Sequence, residues 1–280
     1  MFYLNGNYLN DPANAINIAD RGFLLGDGVF TTIKAKNGSL IHFEKHMERL
    51  KHDTEKIYLK CNLNKNKLHE ICLNILKSNN LEKNPAIIRI TYTRGVSGRG
   101  INISEESNPT LLIRAVPYND SMALFPRICT TTIQKNEKSI ISGIKSLNYL
   151  ESILARHEAI NKGYDDGIMF NTQSNITECS VANIFFINKN DEIITPPISD
   201  GILPGIVRSE ILKICKGINI PIFEESINLN KAINCKAAFI TNCAIGIKII
   251  KSINDTIFTY KHELIEKINN CYISLINCNG

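Results

Sequence analysis

The chain opens with short runs in which apolar and polar positions alternate. Residues 2–6, 7–10 and 29–36 read as β-strands, the last closed by the Asn37-Gly38 turn with residues 40–43 as its hairpin partner. From residue 42 the period lengthens: Met47, Leu50 and Ile57 recur at helical spacing among charges, and a second amphipathic helix is predicted over 65–79. Residues 85–95 alternate β-branched and polar side chains, a Gly-rich loop follows, and a strand resumes over 110–118. Residues 119–125 read as a crossing between halves. Beyond them come a strand at 127–134, a helix over 149–161 ending at Lys162-Gly163, and strands at 167–171, 183–188 and 192–197. A Gly/Pro turn then runs into an amphipathic helix over 201–217, and an apolar strand at 236–247 carries the small polar cluster Thr241-Asn242-Cys243. Strands and helices are mixed without internal repeats, which predicts an α+β fold.

Composition narrows the class. With 280 residues, 44% hydrophobic and 21% charged, the chain is long enough for one large or two modest domains with a real core, and disordered, collagenous and coiled-coil readings fail. The net charge of +5 is spread along the chain, a hint of anionic ligands but no nucleic-acid footprint. No apolar run is long enough to span a bilayer and the N-terminus does not read as a signal peptide, so a cytoplasmic protein is expected, with no membrane or nucleic-acid partner. Nine scattered cysteines without CxxC or zinc-like spacing read as reduced structural thiols. His42 and His46 lack the HExxH pattern and read as surface or capping residues, so no metal site is predicted.

Candidate chemistry lies in a few short motifs. Gly205-Ile206 opens a helix, and a helix N-terminus with its unpaired N–H groups suits a phosphate. Lys145 stands in SGIKSLNYLESILARHEA, Glu178 in NITECSVANIFF, Arg49 in HMERL and Asp27 in LLGDGVFTT. Each alone is more often structural; their order is what carries information. In this combination the chain resembles the fold-type IV pyridoxal-phosphate enzymes: branched-chain aminotransferases, D-amino-acid aminotransferases and 4-amino-4-deoxychorismate lyases.

The resemblance implies a two-domain α+β fold with the active site between the domains. A smaller N-terminal α/β domain would span 1–118 and a linker 119–124, with a larger C-terminal domain over 125–280 carrying the coenzyme lysine. It further implies a homodimer and pyridoxal 5'-phosphate as cofactor. Lys145 would hold the coenzyme aldehyde covalently and act as catalytic base, while Glu178 would keep its ring nitrogen protonated. Arg49, Gly205, Ile206, Val207, Asn242 and Cys243 would bind its phosphate, and Tyr149 its phenolic oxygen. Val207 and Asn242 stand where relatives often have Thr.

Subfamily features favour the lyases. Their GDGxFTT, RGxxGRG and GIKxLN patterns are matched by GDGVFTT, RGVSGRG and GIKSLN, and the TEC and AN of their TECxAN pattern recur in TECSVAN with one residue more between them. Ile101 replaces the His of the D-amino-acid carboxylate trap and Phe30 its Tyr, while Phe30-Thr31-Thr32 stands where branched-chain enzymes carry an FEG-type motif. By this resemblance the reaction would convert 4-amino-4-deoxychorismate to 4-aminobenzoate and pyruvate for folate synthesis. Phe30, Arg94 and Arg99 would bind substrate, and Thr32 would assist proton return. The alternative is an aminotransferase for branched-chain or D-amino acids.

Overall fold

In a computed structural model the fold is described for residues 1–13, 15–98, 100–103 and 108–278. They form two compact units, one of residues 1–119 with 144–148, the other of 120–143 with 149–278.

The first unit is built on an antiparallel sheet and three helices. Its elements are β1 (Phe2–Leu4), β2 (Asn7–Leu9), α1 (Arg21–Leu25), β3 (Gly28–Lys36), β4 (Ser39–Leu40), α2 (Phe43–Lys56), α3 (Lys65–Ser78), β5 (Ala86–Val96) and β6 (Asn108–Pro117). The strand order is β2-β1-β6-β5-β3-β4. Ile33, Ile88, Ile90 and Ile113 point from one face of the sheet into a cluster with Met47 and Leu50 of α2 and Ile71, Ile75 and Leu76 of α3. Burying each such side chain contributes roughly 1.5–3 kcal/mol. On the opposite face, the register places Thr32 of β3 beside Arg89 of β5 and Arg114 of β6, with Phe30, Thr91 and Leu112 one row along. That face is polar and basic.

Residues 40–43, expected as a full hairpin partner, give only the two-residue β4, because Phe43 already belongs to α2. His46 departs from its surface assignment. It is 0% exposed and its Nδ1 lies 2.7 Å from the Thr31 hydroxyl.

The second unit holds two five-stranded sheets. Its elements are β7 (Arg127–Lys135), α4 (Leu150–Asn161), β8 (Asp166–Asn171), β9 (Ile176–Cys179), β10 (Asn183–Ile187), β11 (Ile193–Thr195), α5 (Ile206–Gly217), β12 (Ile222–Glu224), α6 (Leu229–Ile233), β13 (Ala237–Asn242), β14 (Gly246–Ile249), β15 (Ser252–Ile253), β16 (Thr256–Ile257) and α7 (Glu263–Cys278). Strand β10 is buried along its whole length, which explains its unbroken apolar run. Ile184 and Phe186 pack with Ile128 and Ile168 of the neighbouring sheet. Phe185 faces the other way, stacked on Phe239 at 4.8 Å in a core closed by Ile211 of α5 and Ile268 of α7. Helix α7 escaped the sequence reading although Leu264, Ile265, Ile268, Tyr272 and Ile276 carry a helical period.

Two corrections concern the expected organisation. The segment of Lys145 belongs to the first unit rather than to the C-terminal one, because its backbone is bonded to β3. Arg94, expected to bind substrate, is 3% exposed and committed. Its guanidinium donates to both oxygens of Asp27, at 2.8 and 3.0 Å, and to the carbonyls of Ile57 and Tyr58. Arg21 donates to the same carboxylate at 2.7 Å and to the carbonyls of Gly100, Ile101 and Asn102. A substrate would have to strip a buried ion triad of its partners.

The triad yields a pH prediction. Burial pushes the Asp27 carboxyl up, but hydrogen bonds and charges from Arg94 and Arg21 outweigh it and hold the group below its ordinary 3.8. Its stabilisation is therefore present above pH ~4 and lost as pH falls through the lower folded value. Asp27→Asn is expected to cost about 3–5 kcal/mol at pH 7, since two guanidiniums lose their counter-charge. In chemical denaturation at stepped pH, the gap to the parent protein should narrow below pH 4; a constant gap refutes the assignment.

Candidate active site

In the first unit, Lys145 is held by its backbone. Lys145 donates its amide N–H to Asp53 Oδ2 at 3.0 Å and accepts the Phe30 N–H at 2.9 Å, while the Leu147 N–H donates to the Gly28 carbonyl at 2.9 Å. Ser146 thus bridges Val29, and the segment completes the otherwise free edge of β3. Gly28 is required here: a Cβ would stand 2.7 Å from the Tyr92 carbonyl oxygen and 2.9 Å from Leu147.

Around this lysine the unit gathers three of the expected site residues. Lys145 Nζ lies 4.6 Å from the centre of the Phe30 ring, whose face also carries the Arg89 guanidinium at 3.6 Å. Thr32 shares the sheet face with Phe30 and Arg89. Arg49, one turn after His46 on α2, donates to Thr31 Oγ1 at 3.0 Å, and its buried Nε has no hydrogen-bond partner. Arg89, His46, Thr31 and Asp53 were missed by sequence reasoning. His46, Arg49 and Asp53 recur at i, i+3 and i+7, a spacing that puts them on one helix face. Arg99 lies outside the described residues.

In the second unit, Glu178 of β9 is 8% exposed and accepts from several donors. Lys135 Nζ lies 2.7 Å from Oε1, Asn183 Nδ2 3.0 Å from Oε2, and the Leu203 N–H 3.2 Å from each. Such a set engages both carboxylate oxygens and fixes the side chain's rotamer. Asn183 also donates to the Leu203 carbonyl at 2.9 Å, so it ties Glu178 to the turn entering α5. Gly205 caps that helix without any side-chain bond, leaving the first-turn N–H groups of Ile206 and Val207 for another acceptor. A Cβ on Gly205 would fall 1.9 Å from Asn183 Oδ1.

One other residue takes a different part from that expected. The Asn242 side chain is spent within the protein, donating to the Val181 carbonyl and accepting from the N–H groups of Ala244 and Ile245. Beside it, the buried Thr241 hydroxyl has no partner. Cys243 is half-buried in the loop after β13, and Tyr149 precedes α4 in the second unit. No group of three or more metal-ligating side chains occurs among the described residues.

The first unit offers a lysine anchored by its main chain and an arginine with one unpartnered donor, the second a carboxylate fixed by several donors and a helix N-terminus without a side-chain cap. Residues 28–253 match the family model described as amino-transferase class IV. The chain belongs to the class IV aminotransferase family. It is 30% identical over 270 residues, 95% of this chain and 93% of the relative, to a Methanocaldococcus jannaschii protein named "Putative branched-chain-amino-acid aminotransferase". It is 26% identical to the aminodeoxychorismate lyase of Bacillus subtilis, over 88% of this chain and 84% of that one. The fold matches the branched-chain amino acid aminotransferase of Escherichia coli with a TM-score of 0.91 at 21% identity, covering 99% and 95% of the two chains.

The α+β fold-type IV expectation therefore holds, and the family's coenzyme is pyridoxal 5'-phosphate. Within the second unit, the open first turn of α5 and the donor-fixed Glu178 carboxylate, tied together through Asn183, fit a ligand that has a phosphate and a ring N–H. Gly205→Ala should displace Asn183 and weaken coenzyme binding at least tenfold, about 1.4 kcal/mol, as read by titrating the apoprotein and following coenzyme absorbance. Unchanged affinity contradicts the coupling of Glu178 to the helix turn.

Proposed function

We propose that the protein is a pyridoxal-phosphate-dependent 4-amino-4-deoxychorismate lyase, releasing pyruvate to give 4-aminobenzoate for folate synthesis. The observation that carries this reading is the basic sheet face beside Lys145. Arg89 and Arg114 sit directly opposite one another and Lys34 lies one row along β3, on the face that also carries Phe30, Thr32, Thr91 and Leu112. A dicarboxylate suits that face better than an aliphatic side chain does.

When bound, the coenzyme supplies an aldehyde for the substrate amine and a cationic ring that accepts the electron pair left by a departing proton. The chain's residues do the rest. Arg49 and the Ile206 and Val207 N–H groups hold the phosphate, and Glu178 holds the proton on the ring nitrogen. The Lys145 amine takes the proton from the amine-bearing carbon; Arg89 grips a substrate carboxylate by charge-assisted bonds. Thr32, on the same face, is placed to return a proton to the departing enolpyruvyl group. Loss of that group makes the product ring aromatic, so no oxidant is needed.

A second reading, amino transfer from branched-chain amino acids, is favoured by the likeness to the Methanocaldococcus protein. We also assign a homodimer in the cytoplasm, with the loop around Arg99 serving the partner's site. Its support is the apolar side chains left exposed near α1, Ile18, Phe23 and Leu24, together with Ile101.

Purified protein loaded with coenzyme should form 4-aminobenzoate and pyruvate in equal amounts, with a kcat/KM above that for transfer from valine, leucine or D-alanine to 2-oxoglutarate. The reverse order gives the protein to the aminotransferase reading. Arg89→Met should lower the lyase kcat/KM about 30- to 150-fold, the ~2–3 kcal/mol of a hydrogen bond to a charged group. Lys145→Ala should abolish borohydride-stable attachment of the coenzyme.

A further inference from the structure

The Thr31 hydroxyl lies between two side chains of α2, 2.7 Å from His46 Nδ1 and 3.0 Å from Arg49 NH2. We propose that Thr31 and His46 are positioning residues that lock the Arg49 guanidinium in the orientation that binds the coenzyme phosphate. This rests on reading Arg49 as a phosphate ligand.

Donor and acceptor counting sets the role of Thr31. A guanidinium only donates, so the Thr31 oxygen accepts from Arg49 on one lone pair. Toward His46 the hydroxyl either donates to an unprotonated Nδ1 or accepts from an Nδ1–H on its second lone pair, so the 2.7 Å contact holds in both neutral tautomers of the ring. A neutral ring is the form that adds no second positive charge beside Arg49. The environment agrees: burial first, then the charges of Arg49, His42 and Lys145, drive His46 well below its ordinary value.

The relay is also mechanically stiff. Thr31 and His46 are both 0% exposed, and a β-branched side chain has few χ1 choices. Arg49, by contrast, is a long, half-buried side chain that loses much rotamer freedom when held. Thr31 takes up NH2 while Nε stays unpartnered, so the guanidinium is fixed at one corner with a donor left over.

The test compares how tightly the apoprotein binds pyridoxal 5'-phosphate and pyridoxal, which lacks the phosphate. A structural role would weaken both alike; a role in aiming Arg49 would weaken only the phosphorylated form. Thr31→Val keeps the shape and removes the hydroxyl. It should lower the preference for pyridoxal 5'-phosphate at least tenfold, and Thr31→Ser should restore it. His46→Leu should shift the preference the same way by a smaller factor and serves should Thr31→Val fail to fold. If Arg49→Met lowers the preference but Thr31→Val and His46→Leu leave it unchanged, the positioning role is overturned. If Arg49→Met itself leaves it unchanged, the reading of Arg49 fails instead.

Discussion

A lysine serves as a fixed reactive amine only if its main chain cannot move, and here the main chain of residues 145–147 is held as an added piece of sheet. It fills the free edge at the start of β3, through the Phe30 and Leu147 amides, and its own amide is capped by the buried Asp53. Everything else in the first unit is aimed relative to that edge. Strand β3 offers Phe30 and Thr32 on one face and Thr31 on the other, so one short strand serves both the basic face and the α2 relay. Gly28 matters because the pairing needs a strand with no side chain at that point.

The second unit uses the same economy around a carboxylate. Glu178 is fixed by Lys135 from β7, by Asn183 from β10 and by the backbone at Leu203, so three separate stretches of chain converge on one acceptor. Asn183 reaches onward to the turn before α5. The residue proposed as ring-nitrogen partner and the helix end proposed to bind phosphate are thereby parts of one hydrogen-bonded body. The Lys135 ammonium lies against the Glu178 carboxylate as an ion pair.

Much of the candidate chemistry was legible in local sequence because its roles depend on short-range features. A Gly before a helix start, a carboxylate on a short strand and a lysine before a helix are each written within a few residues. The lysine's unit was misjudged because its allegiance depends on pairing with residues over a hundred positions away. Arg94 was misread for a similar reason: two arginines near a Gly-rich loop look equivalent until Asp27, Ile57 and Tyr58 are seen to consume every useful donor of one. Asn242 looked like a phosphate donor and is spent on Ala244 and Ile245.

The sequence by itself determined the helix and strand of each principal motif through its periodicity, and its motifs in their order carry the resemblance that implied the family and its coenzyme. It also contained α7, whose apolar period was there to be read. Only the tertiary structure decided that Arg94 and Arg21 are consumed by Asp27, that His46 is buried and neutral, and that Arg89 shares Phe30 with Lys145. Those outcomes depend on cross-strand register and on competition for hydrogen-bond partners, and neither is a property of any local stretch of chain.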